Sequence, residues 1–63
     1  MKILLKDKTY QSNHIIRDIV SNEIFPAGSV FRVINDKHSN YIVEDVESGK
    51  YILIDHKQTS FLR

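Results

Sequence analysis

The chain has no cysteine and no tryptophan, one proline, two glycines and no long apolar run. Without cysteine there is no disulfide and no thiolate zinc site. Without tryptophan, one of the flat side chains on which proline-rich ligands stack is missing. No stretch approaches the roughly 20 apolar residues needed to span a membrane, so no membrane partner is expected. Met1-Lys2-Ile3-Leu4-Leu5 opens like a signal peptide but meets Lys6, Asp7 and Lys8 too soon, which points to a cytoplasmic chain. A charge excess of one sign is also missing. Nine basic residues face eight acidic ones, whereas a nucleic-acid binder is expected to be strongly basic. Gly28 and Gly49 lie too far apart for a glycine-rich phosphate loop.

What is present makes one domain, residues 1–63. A chain this short buries only about 60% of the surface its unfolded form exposes. A compact core, good turns and a partner subunit are the remaining sources of stability, so self-association belongs among the expectations.

The organising stretch is Glu23 to Ile34. Pro26 presets φ for the second position of a tight turn and Gly28 suits its exit. Val30 to Ile34 then reads as a buried strand rich in β-branched and aromatic residues. Lys2 to Lys6, carrying Ile3, Leu4 and Leu5, fits another buried strand. Residues 9–22 have two readings. Ile15, Ile16, Ile19 and Val20 fall on one face of a short helix, capped at Ser12 or Asn13; otherwise the segment is a long two-legged loop folded over the core. Asn35 to Asn40 is polar and reads as a loop, and Tyr41 to Val46 as a strand. Glu47-Ser48-Gly49-Lys50 is a hairpin turn, with Gly49 free to take positive φ. Tyr51 to Ile54 is the next strand, Asp55 to Gln58 a single helical or 3₁₀ turn, and Thr59 to Leu62 a last short strand.

The expected fold is mainly β, with about five short antiparallel strands in a small closed or half-closed barrel. Its core would contain Leu5, Phe25, Phe31, Val33, Val43, Ile52 and Ile54, with Ile15, Ile16, Ile19 and Val20 closing one open end. This order of elements resembles the SH3-like small barrel. Glu23 to Ile34 resembles the diverging turn and second strand of SH3 domains. Glu47 to Lys50 resembles their distal hairpin, and Asp55 to Gln58 falls where a 3₁₀ turn precedes their last strand. The resemblance implies a fold and not an activity. The SH3 peptide groove is not carried over: Ile3-Leu4-Leu5 replaces its aromatic-acidic motif, Tyr41 stands where paired tryptophans belong, and Leu53 or Ile54 replaces the groove proline.

Catalytic signatures are weak. His14 and Asp18 would share a helix face as a metal or orienting pair, but no third ligand has recognisable spacing. A solvated polar face is the simpler reading. His38 reads as a turn residue and Asp55-His56 as a surface cap. No serine lies in a nucleophile elbow, and no catalytic residue, metal or cofactor is expected. The expected function is a non-enzymatic protein-interaction module. Its size and its Ile, Lys and Asn content suggest an accessory or inhibitory factor of bacterial or phage origin. Candidate binding residues are Tyr41, Tyr51 and Arg32, because aromatic and Arg side chains supply most interface hot spots. Glu44, Asp45 and Glu47 on the acidic hairpin join them. The alternative is a nucleic-acid-binding barrel, in which scattered Lys and Arg side chains gather beside Tyr10 and Tyr41 as stacking platforms.

Overall fold

The computed structural model describes residues 3–63 and contains six strands and one 3₁₀ helix. The strands are β1 (Thr9–Gln11), β2 (Ile16–Arg17), β3 (Ile24–Phe25), β4 (Val30–Lys37), β5 (Asn40–Asp45) and β6 (Tyr51–Asp55). The 3₁₀ helix covers His56–Phe61. All pairing is antiparallel, in a four-stranded sheet ordered β1-β4-β5-β6 and a two-stranded sheet of β2 and β3.

The four-stranded sheet follows from alternation. Over residues 30–33 of β4 and throughout β5 and β6, buried and more exposed residues alternate, as the two-residue period of a strand requires. Tyr10 pairs with Phe31, Val33 with Val43, Val43 with Ile52, and Tyr41 with Ile54, so large side chains meet in rows on the inner face. Phe25 from the small sheet meets Phe31 edge-on, with ring centroids 5.8 Å apart. Leu4, Ile16 and Leu62 complete the core.

The Pro-Gly corner forms at Pro26–Ser29. Ser29 N donates to Pro26 O at 3.2 Å, which makes Pro26 the first residue of the turn and not its second. Gly28 takes φ of +94°, as the third position of such a turn demands. Gly49, at φ +76°, ends the longer loop between β5 and β6, where its N donates to Asp45 O, four residues back, at 2.7 Å.

Several expectations need correction. Lys2 lies outside the described residues, and Ile3 to Leu5 form no strand. Their backbone amides instead reach side chains: Leu4 N donates to the Tyr41 hydroxyl at 3.2 Å, and Leu5 N to the Tyr10 hydroxyl at 2.9 Å. This arm buries Leu4 and leaves Leu5 57% exposed, so Leu4 takes the core place expected for Leu5. Residues 9–22 contain no helix; they hold β1, β2 and the turn beyond it. Of Ile15, Ile16, Ile19 and Val20, only Ile16 enters the core, from the inward side of β2, while the other three are exposed.

The expected loop at Asn35 to Asn40 shrinks to a turn at residues 38 and 39, since β4 runs on to Lys37. It does so across a one-residue slip at Ile34, where Val33 pairs with Val43 but Asn35 pairs with Ile42. The last strand expected at Thr59 to Leu62 is 3₁₀ helix up to Phe61. The Asp55 carboxylate caps it by accepting from Gln58 N, while Thr59 Oγ1 and Ser60 Oγ donate to the carbonyls three residues back. Only Leu62 bridges to Ser12 in strand fashion.

Among the described residues no ladder joins the two sheets into a closed barrel. A few backbone hydrogen bonds outside the ladders link the parts. Gln11 exchanges both its backbone bonds with Arg63, at 2.9 Å each, and Ile19 N donates to Leu53 O at 2.9 Å. No helix of the described residues is long and apolar enough to cross a membrane.

Candidate functional site

The sequence candidates separate into surface and interior. Arg32, Glu44 and Tyr51 occupy consecutive strands in direct register, Arg32 opposite Glu44 and Glu44 opposite Tyr51. Side chains in one such row share a face and lie within contact range of their neighbours. Here it is the outer face. Arg32 Nη1 sits 3.5 Å from Glu44 Oε1, and Tyr51 is 62% exposed.

Tyr41 is not a surface residue. It is 1% exposed, its hydroxyl accepts from Leu4 N, and its ring lies 5.2 Å from that of His56. Being on the inner face of β5, it acts as core. Asp45 is buried too. Its carboxylate accepts from the Ser48 hydroxyl at 2.7 Å, while Asp45 O accepts from Gly49 N, so it shapes the turn and is not presented to a partner. Glu47 is exposed on that turn.

Sequence reasoning missed the apolar part of this face. Ile42 and Leu53 pair across β5 and β6 on the same side as Tyr51, and Val20, 74% exposed, stands beside them. Together they line an open groove of about 360 Å³. The signal was available: Tyr41-Ile42-Val43 and Ile52-Leu53-Ile54 are apolar at every position, so both strands must carry apolar side chains on both faces.

Asp18 fixes one wall of this groove. Its Oδ1 accepts from Val20 N at 3.1 Å and Leu53 N at 3.3 Å, and its Oδ2 from the Ser21 hydroxyl at 2.8 Å. Burial works to raise the Asp18 carboxyl, and the hydrogen bonds from Val20, Ser21 and Leu53 outweigh it, holding the group below its ordinary value. Asp18 is thereby buried and bonded to Val20, Ser21 and Leu53, so it does not lie on the solvated polar face expected for it and His14, and its carboxylate is engaged away from His14.

A second groove, of about 350 Å³, lies where the β2-β3 hairpin meets the 3₁₀ helix. Arg17 and Ile24 are cross-strand partners on the hairpin, and Gln58 holds the helix to it. The His14 ring stacks on Phe61 with centroids 4.2 Å apart and planes 18° from parallel. His38 lies in the β4-β5 turn and Asp55 caps the 3₁₀ helix, as the sequence suggested, whereas His56, read with Asp55 as a surface cap, lays its ring beside buried Tyr41. Among the described residues no group of three or more His, Cys, Asp or Glu is placed to hold a metal ion.

Fold and surface together define a small all-β antiparallel domain with an apolar groove on its sheet face. Compared with protein families, curated proteins and solved structures, the chain matches none.

Proposed function

We propose that this chain is a non-enzymatic protein-interaction module that binds its partner through the outer face of the four-stranded sheet. The observation carrying this reading is the row Arg32–Glu44–Tyr51 set beside the groove of Val20, Ile42 and Leu53. Exposed apolar side chains that are contiguous and rimmed by polar groups mark interaction surfaces. Tyr and Arg are the residues that most often anchor them. Tyr51 supplies a broad ring with a polar tip, and Val20 and Leu53 supply a depression beside it. A second copy of this chain is among the protein partners this face would accept.

An SH3-like arrangement is part of the same proposal. Supporting it are the four-stranded sheet, the Pro-Gly corner before β4, the 3₁₀ helix after β6, and the pairing of Gln11 with Arg63 beyond that helix.

Nucleic-acid binding lacks comparable support. Tyr10 and Tyr41, the platforms it needs, are buried, and Arg32 and Lys50 face carboxylates. The test is cross-linking of the intact chain in lysate of its native cells, comparing it with Tyr51→Ala. Loss of a defined protein adduct on substitution supports the proposal; an adduct that depends on nucleic acid contradicts it.

A further inference from the structure

We infer that the second groove, between the β2-β3 hairpin and the 3₁₀ helix, is a separate docking site for an acidic peptide with an apolar anchor. It shares no residue with the sheet-face groove. Its apolar surface comes from Ile15, Ile24 and Phe61, with His14 stacked on Phe61. Ile15 and Ile24 are about half exposed, at 48% and 54%, so the hairpin presents two isoleucines to water beside an aromatic ring.

Charge selects the occupant. Arg17 and Lys57 border the same groove, both exposed. Neither belongs to an ion pair among the described residues, where the pairs are Arg32–Glu44 and Lys50–Glu23. The one carboxylate of the lining, Asp55, is turned to its own helix and accepts from Gln58 N. Two cations that form no ion pair among the described residues, bordering an apolar depression, complement a segment in which Glu or Asp flanks a Leu or Phe. A basic or neutral proline-rich segment gains nothing from them.

The backbone here is held ready. Gln58 Oε1 accepts from Arg17 N at 2.7 Å, and Gln58 Nε2 donates to Arg17 O at 2.8 Å. The side-chain amide occupies the free edge of β2 as another strand would. The occupant therefore reads side chains and does not extend the sheet.

The test is an amide-resolved NMR titration of the whole chain with two synthetic peptides of the same Leu-Phe centre, one flanked by glutamates and one by lysines. The expected result is shifts at Ile15, Ile24 and Phe61 with the acidic peptide, and about three- to tenfold weaker binding of the basic one. The double variant Arg17→Glu/Lys57→Glu should reverse that order. A salt titration of the unaltered chain is the second measurement, and affinity for the acidic peptide should fall as salt rises. No shifts at about millimolar peptide, equal affinity for both peptides, shifts confined to Tyr51 and Leu53, or salt-independent binding would each overturn the inference. Because Tyr51→Ala leaves this groove intact, the outcome is independent of the sheet-face proposal.

Discussion

Gln58 grips both backbone groups of Arg17: the amide oxygen accepts from Arg17 N and the amide nitrogen donates to Arg17 O. The two residues are 41 positions apart, so one side chain ties the 3₁₀ helix to a hairpin near the other end of the chain. The clamp satisfies backbone groups on a strand edge that would otherwise be open to pairing with another chain.

Replacing Gln58 with Ala should cost about 1 kcal/mol, because the contact is exposed and water partly substitutes for it. In a domain of this size that is a drop in Tm of about 4–8 °C, readable by circular dichroism. Gln58→Glu should lose part of the clamp as well, since a carboxylate cannot donate to Arg17 O.

Asp18 predicts a pH dependence. Its folded-state pKa is lowered, so the native state favours the charged form. The stability it contributes is present above the ordinary carboxylate value and is lost as pH falls through the lowered one. Denaturant melts should show the chain weakening in acid, and Asp18→Ala should flatten that part of the profile. The same substitution leaves Leu53 N and Val20 N without their acceptor and should cost about 2 kcal/mol at neutral pH.

Tyrosines should divide by face. Tyr41→Ala empties a core position and should cost about 3–5 kcal/mol, whereas Tyr41→Phe removes only the hydroxyl bond to Leu4 N and should cost about 1 kcal/mol. Tyr51→Ala should change stability by less than about 0.5 kcal/mol. Urea melts of the three variants check the division.

That division also shows what the sequence could and could not convey. Phe31, Val33, Val43, Ile52 and Ile54 lie in strands whose alternation is written in the residues, and all five are buried. The same alternation, followed through Tyr41-Ile42-Val43, places Tyr41 inward. Aromatic character alone did not distinguish it from Tyr51. Of the acidic hairpin, Glu44 reaches the outer face, while Asp45 turns inward to Ser48 for the same reason of alternation. Residues 9–22 carry no clean period. What holds them is long-range, such as Asp18 to Leu53 and Arg17 to Gln58, and no local pattern encodes such contacts. At the other end, Phe61-Leu62 looks like strand by composition. The Asp55 cap and the Thr59 and Ser60 hydroxyls instead draw the backbone into 3₁₀ turns.

Gly28→Ala forces a Cβ onto a backbone at φ +94°, where open space around the position gives no relief from the strain. A loss of about 1–2 kcal/mol is expected. Because this corner leads into β4, refolding kinetics of the variant would show whether the turn forms early. Slower folding is the expected outcome, with the unfolding rate nearly unchanged.

The most direct measurement is affinity capture from the native cells with the unaltered chain and with Tyr51→Ala, each with and without nuclease, read by mass spectrometry. The sheet-face account predicts one defined protein that survives nuclease and salt and disappears with Tyr51→Ala. Recovery that vanishes on nuclease treatment, or a partner retained in full by the variant, would contradict it.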